Sequence, residues 1–530
     1  MTAFTTRLTR SLGLLLALGL AALPPSGLSA PVGGAPDQPA APDGAAQADA
    51  GGGQPDVIGN SVVKIFATLR YPDIAKPWAK QAPSEISGSG MVIEGKRILT
   101  NAHMVLYASE IQVQSSQSGD RVSATVVGVA PGIDLAVLKL DDESFFNTHP
   151  PLQRASKLPT TKDPVVVYGY PTGGTSLSIT KGIVSRIEYT YYNFPVSGLR
   201  IQIDAAINHG NSGGPAMVGD KVIGLAFSFL GGAQNIGYII PTEEIDLMLK
   251  GVENGGYKGK FASFDGLQTL ENPALRTFLK LDPSVHGIIV ARPDSDDAAY
   301  PLRRWDVITQ IGDAAVDDQG MIKLGGDLRV QFSYLIPRLA RNGTVPIKVE
   351  RDGASVAVDL PVKTDYPTLF PGLRGAYPSY FIYGPLVFTA ATAELLAHVD
   401  STPGLERTLE LRTSPLVTRR ADRPAFEGEG IVCVSSPFFP SKLSTGYSDP
   451  AFRTVSAVNG IPIRNLIHLV QVLRDSKEKY IVIEFADKRV EKLIFPQADM
   501  IAATEGILTE NGVRSQGSED TMAEWGKAAP

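Results

Sequence analysis

Between residues 57 and 250 the chain is a succession of short β-rich apolar runs, at 61–69, 90–93, 97–100, 110–114, 124–130, 135–140, 165–170, 180–187, 199–204, 221–227 and 236–240. Gly, Pro, Asn and Ser separate them. Many short strands at near-regular spacing predict an all-β sandwich or barrel arrangement. Pro241-Thr242 followed by 243–250 predicts a capped helix that closes this region.

Beyond residue 251 the pattern is mixed and occurs twice. The first copy runs through Gly287-Ile288-Ile289-Val290, a strand and Gly turn at 306–313, a helical stretch at 332–340, and a hairpin at 345–351 and 354–360. The second runs through 430–434, 454–460, a helix at 466–474, and a hairpin at 480–485 and 490–494. The repetition predicts two related modules. Pro337 should kink or shorten the helix of the first. Residues 501–530 are polar and read as a loosely held tail with at most one short helix.

The two ends of the chain differ from this middle. Arg7 and Arg10 precede an apolar run at 12–23, followed by small residues. The run is too short to span a bilayer comfortably and reads as an export signal, residues 1–30, cut after Ala30 or Gly34. An uncleaved anchor is the alternative. Residues 31–56, rich in Ala, Pro, Gly, Asp and Gln, cannot bury enough surface to order themselves and read as a linker. No later segment reads as membrane-spanning, so the mature chain is expected in a periplasmic or extracellular space.

Composition narrows the chemistry. The 530 residues suggest about three domains. The net charge of −6 gives no basic field for nucleic acid. Cys433 is the single cysteine, so no intrachain disulfide or cysteine-based zinc cluster can form, and it reads as a small buried hydrophobe. His149, His286, His398 and His468 lack metal-ligand spacing. No metal, cofactor or nucleotide site is expected.

One stretch stands out, His209-Gly210-Asn211-Ser212-Gly213-Gly214-Pro215. Glycines clear side chains from around a serine, which suits a turn that presents a hydroxyl beside backbone N–H groups. A bare Gly-rich turn is the alternative reading of the loop alone. A serine nucleophile needs a base, and the base needs an orienting carboxylate. Thr100-Asn101-Ala102-His103 ends an apolar strand, and Gly132-Ile133-Asp134 opens another. The chain order His, Asp, Ser is that of the chymotrypsin-type double barrel.

Ser87-Gly88-Ser89-Gly90-Met91-Val92-Ile93, Thr100–His103, Asp134–Leu138, Asp204–Asn208 and Gly210–Pro215 closely resemble the Deg/HtrA serine proteases. The resemblance covers about residues 57–500, since two PDZ-like modules behind the protease also fit. The loop carrying Trp78 and the enlarged second module are similar to the plant-type Deg branch. The resemblance implies a mainly β fold: a chymotrypsin-like double β-barrel protease domain at 57–250, then two α+β PDZ-like domains at 260–365 and 371–500. It implies Ser212 as nucleophile, His103 as general base, Asp134 as its orienter, and Gly210 and Ser212 N–H groups as oxyanion hole. It also implies an ATP-independent endopeptidase of unfolded or damaged proteins and peptides, in a trimer-based or larger homo-oligomer. A chaperone or peptide-binding scaffold with a silent site is the alternative.

In the double-barrel fold, residues before the nucleophile line the specificity pocket. Here these are Ala206, Ile207 and Asn208, facing a wall that includes Leu225, Ala226 and Phe227. Ala206 stands six residues before Ser212 where a trypsin-like enzyme would carry an acid, so small or medium apolar P1 side chains are expected. His209 reads as a wall or surface residue and Asp204 as structural. Residues 188–197, with Tyr189, Tyr191, Tyr192 and Phe194, match the family's sensor loop, and Leu230–Asn235 borders the pocket. PDZ modules add an extended peptide as a strand and hold its carboxylate on backbone N–H groups. The matching loops are Phe264-Asp265-Gly266-Leu267 and Tyr383-Gly384-Pro385-Leu386. Asp265 brings a like charge, Pro385 lacks an N–H, and Trp305 stands where the family often has Gly.

Overall fold

The computed structural model describes residues 57–115, 119–172, 174, 176–192, 196–208, 210–229, 237–325 and 328–528. The export signal, the linker, His209, Phe194 and the 230–235 segment lie outside the described residues.

Twelve strands build the protease region: β1 (Val62–Leu69), β2 (Ser84–Ile93), β3 (Arg97–Thr100), β4 (Ala108–Ser115), β5 (Arg121–Ala130), β6 (Leu135–Leu140), β7 (Pro164–Gly169), β8 (Ser178–Tyr191), β9 (Ser197–Ile203), β10 (Pro215–Val218), β11 (Lys221–Phe229) and β12 (Gly237–Pro241). They close into two barrels, β1-β2-β3-β6-β5-β4 and β10-β11-β12-β9-β8-β7. Each barrel has its own apolar filling, Ile65, Ile98, Val113 and Leu138 in the first and Val167, Val184, Ile201 and Ile239 in the second. A third cluster joins the barrels through Met91, Leu99, Val137, Met217 and Ile240, closed by Ile245 and Met248 of the helix Thr242–Glu253. Each such side chain contributes about 1.5–3 kcal/mol on burial. β10, which begins at Pro215, is absent from the sequence reading. β8 also outruns it: Tyr189 pairs with Leu199 and Tyr191 with Ser197, so the first part of the expected 188–197 loop is strand.

The first PDZ-like module is a sheet of Gly266–Thr269, Ile288–Arg292, Val307–Ile311, Thr344–Arg351 and Ala354–Pro361, in that order. Its expected helix is a 3-10 turn, Phe332–Leu335, then one α turn, Ile336–Leu339, with Pro337 near the start of the latter. Trp305 holds the left-handed conformation, φ 77°, that favours glycine. The module packs against the protease. Tyr334 OH donates to Glu243 at 2.7 Å, Arg338 pairs with the same carboxylate at 2.6 Å, and the Tyr189 and Tyr334 rings lie 6.3 Å apart.

The second module has two sheets, Tyr380–Tyr383, Leu386–Ala390 and Val432–Val434 in one, Ile461–Pro462, Val455–Val458, Tyr480–Phe485 and Leu493–Pro496 in the other. The helices Ala393–Ser401, Leu405–Leu411 and Pro415–Thr418 fill an insertion between Leu386–Ala390 and Val432–Val434 of the first sheet, with a core that includes Leu395, Val399, Leu409 and Leu416. Cys433 is fully buried, and burial pushes its thiol up to about 12. Trp78, from the protease loop, packs 5.3 Å from Phe439 and 6.4 Å from Tyr380.

The expected tail is part of this module. Gln497–Glu510 and Glu519–Trp525 are helices. Ile382 N donates to Gln516 O at 2.7 Å, Arg474 pairs with Glu524 at 2.8 Å, and the Trp525 ring lies 5.1 Å from Phe381. The second domain therefore runs past residue 500 to at least Trp525. The polar surface of 501–528 conceals a few apolar contacts, Met522 and Trp525 among them, that decide its placement. Trp525→Ala should destabilise the second module by about 3 kcal/mol, the usual cost of emptying a large aromatic site. Limited proteolysis across a urea series checks this; an unchanged midpoint would return 512–530 to the status of a tail.

Candidate active site

His103 stands in the 3-10 turn Ala102–Met104 that follows β3. Asp134 caps the next such turn, Pro131–Ile133, just before β6, in the left-handed conformation at φ 55°. β3 and β6 are neighbours, and Thr100 pairs with Ala136, so the two turns emerge together. His103 Nδ1 lies 2.7 Å from Asp134 Oδ2, and His103 N donates to Asp134 Oδ1 at 2.9 Å. The carboxylate thus fixes both the ring and its backbone. With Asp134 held at Nδ1, the proton sits there and Nε2 is the free acceptor. Burial pulls the His103 pKa down, but the charge of Asp134 and its hydrogen bond outweigh burial and raise it above 6.5. The Asp134 side chain is 16% exposed, whereas that of His103 is 46% exposed and open to the cleft.

Ser212 comes from the other barrel, on the turn that enters β10. The segments meet at Gly88, where a Cβ would lie 2.7 Å from Met104 Cε and 3.4 Å from Ser212 O. A Cβ on Gly213 would overlap the Ser89 carbonyl, and one on Gly214 the Tyr168 carbonyl. Gly213 N donates to Ala226 O at 2.8 Å and Gly214 N to Asn211 O at 3.0 Å. Gly210 adopts φ 97°, which a residue with a side chain rarely holds. Among the described residues, the Ser212 hydroxyl and the N–H groups of Gly210 and Ser212 have no hydrogen-bond partner. Unpaired N–H groups in a buried turn are uncommon and await an acceptor.

Sequence reasoning missed the role of Ser89. It is fully buried in β2, and its hydroxyl accepts from Tyr170 N at 2.8 Å and donates to Gly210 O at 2.7 Å. Its N–H donates to Ser212 O at 2.9 Å, and Thr100 Oγ1 donates to its carbonyl at 2.8 Å. One residue therefore ties the strand before His103, the end of β7 and the serine turn together. A small hydroxyl residue between two glycines was the available signal.

The pocket expectation needs correction. Ile207 and Ala226 share the core of the second barrel, and Gly237 lets Ile207 approach, since a Cβ there would lie 2.7 Å from Ile207 Cδ1. Leu225 is fully buried in the cluster between the barrels, and Phe227, on the same face of β11, packs 5.4 Å from Tyr192. Strand alternation turns both side chains away from Ile207. Ala206 O accepts from Thr180 Oγ1 at 2.9 Å and Asn208 is exposed. Asp204 accepts from Ile183 N at 2.5 Å, a backbone tether.

The two PDZ loops differ. In the first, Gly266 and Leu267 open an edge strand, with Leu267 36% exposed. Asp265 turns away from it, accepting from Asp294 N at 2.8 Å and Tyr300 OH at 3.1 Å, and Phe264 packs 5.0 Å from Tyr366. In the second, Tyr383, Gly384 and Leu386 form a buried hairpin turn. Gly384 N is spent on Thr504 Oγ1 at 2.9 Å and Met500 lies directly over Gly384. The helix Gln497–Glu510 covers the loop, so it is not open to a peptide carboxylate.

Residues 88–225 match the trypsin-like peptidase domain and residues 373–520 match the PDZ domain. Protease Do-like 4, mitochondrial, of Arabidopsis thaliana is 35% identical over 88% of this chain and 86% of its own length. Protease Do-like 2, chloroplastic, of the same plant is 36% identical over 87% of this chain and 75% of its own. Among solved structures, the HtrA-type protease AlgW with decapeptide aligns with 59% of this chain and 98% of its own, at 25% identity and a TM-score of 0.45. Matched with its Do-like relatives along most of its length, the chain belongs to the Deg/HtrA family of serine endopeptidases, a trypsin-like domain followed by PDZ domains.

Proposed function

We propose that this serine endopeptidase cleaves unfolded or damaged proteins, without ATP, through an acyl-enzyme formed on Ser212. The observation that carries the reading is the His103–Asp134 pair at 2.7 Å beside a serine flanked by two unpaired N–H groups. Ser212 Oγ attacks the scissile carbonyl carbon and passes its proton to His103 Nε2. The oxyanion takes the N–H groups of Gly210 and Ser212. Collapse breaks the C–N bond, and His103 returns the proton to the leaving amine. Water then repeats the sequence and frees Ser212. Ala206, in place of an acid six residues before Ser212, favours a small or medium apolar P1 side chain.

The preference for unfolded chains follows from the first PDZ module. Its edge strand Gly266–Thr269 offers backbone groups that only an extended, unpaired segment can satisfy. Its carboxylate loop is compromised by Asp265, so an internal segment suits it as well as a free C-terminus. The second module, with its turn covered and Gln516 paired to Ile382, serves the architecture instead. Assembly into a trimer-based homo-oligomer follows the resemblance to the family. Among the described residues no helix is long and apolar enough to cross a membrane. Residues 1–30 direct export to a periplasmic or extracellular space in this reading; the mitochondrial and chloroplastic destinations in two relatives' names belong to those proteins.

Ser212→Ala should lower kcat on a casein-type substrate by roughly 10⁴–10⁶-fold. Equal cleavage by variant and wild type, in the absence of nucleotide, would sink the assignment. Retained suppression of aggregation by the variant would add a chaperone role.

The acid limb of kcat/KM should lie above pH 6.5, because His103 must be neutral to accept the proton. The stability that His103 gains from Asp134 runs the other way: it is complete below pH 6.5 and is lost as pH rises through the raised folded pKa. Asp134→Asn removes the cause of the raised value. It should move the limb to lower pH and cut kcat by about 10⁴-fold, measured on a short apolar peptide; a limb that stays in place contradicts the role given to Asp134.

A further inference from the structure

Beyond its architectural part, the second module shares an open cleft of about 670 Å³ with the protease loop between β1 and β2. The loop contributes Pro77, Trp78 and Lys80, and the module contributes Tyr377, Tyr380 and Glu519. The rings are fixed from behind. Trp78 packs on Phe439, and Tyr377 OH donates to Arg70 O at 2.8 Å. Lys80 Nζ stands 4.4 Å from the centre of the Tyr377 ring, so one face of that ring already holds a cation.

Two polar groups of the cleft are unspent. Among the described residues, the part-exposed Trp78 has no hydrogen-bond partner for its Nε1–H, and the exposed Glu519 has none for its carboxylate. The neighbouring Asp520 accepts from Ser379 Oγ and Ser518 Oγ at 2.8 and 2.6 Å. An indole N–H only donates and an ionised carboxylate only accepts.

The backbone beside the cleft is already paired. Tyr380 N donates to Ser518 Oγ and Ser518 N to Tyr380 O, both at 3.0 Å, and Phe381 is bridged to Gly517. That edge of the strand Tyr380–Tyr383 is occupied, so a peptide cannot join it as a further strand. A ligand is therefore read by side chains: rings for its apolar faces, an N–H for a carbonyl, a carboxylate for a cation. A polyproline II segment matches this set. It makes no internal hydrogen bonds, so its carbonyls stay free, and its proline rings dock in aromatic-lined grooves. Glu519 and Asp520 add complementarity to a basic residue beside the prolines.

We propose that this cleft binds an extended, proline-rich segment of another protein that carries an arginine or lysine, with Trp78 Nε1 donating to a ligand carbonyl and Glu519 taking the cation. The site is separate from the covered turn at Gly384 and from the edge strand Gly266–Thr269, and binding there does not depend on the chemistry at Ser212.

The test is calorimetric titration of the full chain carrying Ser212→Ala, which leaves the ligand uncut. The ligand is the peptide Ala-Pro-Pro-Leu-Pro-Pro-Arg, acetylated and amidated so that it offers no free carboxylate to a PDZ loop. Trp78→Phe keeps a ring against Phe439 and removes the N–H; it should weaken binding about fivefold. A peptide with alanine for every proline should bind about tenfold more weakly, having lost its rings and its preformed backbone. Glutamate in place of the peptide's arginine should also weaken binding, and Glu519→Lys should reverse that preference. Glu519 is exposed, so its substitution reports even where Trp78→Phe disturbs the fold. Absence of binding, or binding that neither variant alters, overturns the site. Equal binding of the alanine peptide overturns the ligand class, and a preference that Glu519→Lys leaves as it was removes the basic residue from it. A solution mass that falls on Trp78→Phe gives the cleft to a second copy of this chain and overturns its assignment to another protein.

Discussion

Two barrels touch where no side chain fits, and the active-site geometry depends on that contact. Gly213 lies against the Ser89 carbonyl of the first barrel and, within the second, Gly214 lies against that of Tyr168, each too close for a Cβ. Backbone this close must have its polar groups matched, because water cannot enter to satisfy them. Ser89 does most of the matching, serving Tyr170 N, Gly210 O and Ser212 O from one fully buried residue. The glycines are therefore required first by packing. The accessible serine and the free N–H groups follow from the path the backbone is forced to take.

The site divides into two halves with separate supports. The serine half belongs to the second barrel and is anchored through Ser89. The base half belongs to the first barrel, where β3 and β6 carry His103 and Asp134 out side by side. The first PDZ module touches the protease at the helix that follows β12. Glu243 takes Tyr334 and Arg338, while its neighbour Glu244 takes Lys260. Two adjacent carboxylates on one helix, Thr242–Glu253, thus register the module against the protease. One pair is buried and the other part-exposed. A buried lysine keeps its charge only against such a partner, and the link is correspondingly intolerant of displacement.

Features set by local chemistry were legible in the sequence. The β-rich runs, the closing helix, the turns before β6 and after β3, and the effect of Pro337 all depend on residues close together in the chain; the expected cap of that helix does not form, since Pro241 stands at its N-cap without a side-chain bond and Thr242 Oγ1 donates to Ala155 O. What was not legible depends on distant partners. Leu225 and Phe227 sit where pocket residues were expected, but a strand shows alternate residues to opposite faces, and their face is decided by Tyr170 and Tyr192. Tyr383-Gly384-Pro385-Leu386 has the composition of a binding loop, but a helix from the far end of the chain covers it. That helix hid because its apolar contacts are few and widely spaced within a polar stretch. Ser89 was visible only as part of a glycine-flanked run, since its partners lie at 170, 210 and 212.

The two PDZ-like modules show how far one backbone path can diverge in what holds it. Val290 N bonds Asp306 O in the first as Val434 N bonds Arg453 O in the second, and the preceding residues, Trp305 and Phe452, are both left-handed at φ 77° and 60°. At this shared position the charge is reversed. Asp306 is buried and closed by Arg351, with contacts of 2.7 and 2.6 Å. Arg453 is as deeply buried and Asp487 lies on the adjoining strand end, but Arg453 Nε and Nη1 and Asp487 Oδ1 have no hydrogen-bond partner among the described residues. Burial lowers the pKa of Arg453, whose ion-pair partner Glu491 stands off at 3.9 Å, and raises that of Asp487, which accepts from Thr454 N at 2.7 Å. A buried charge whose partner stands that far off costs more stability than one closed by hydrogen bonds. The second module meets that cost elsewhere, with Trp525 and Met522 sealing Phe381 and Tyr383. The helix Gln497–Glu510, which closes its peptide loop, and the helix Glu519–Trp525, which seals Phe381 and Tyr383, both come from the end of the chain, while the first module keeps Gly266–Thr269 as an edge strand.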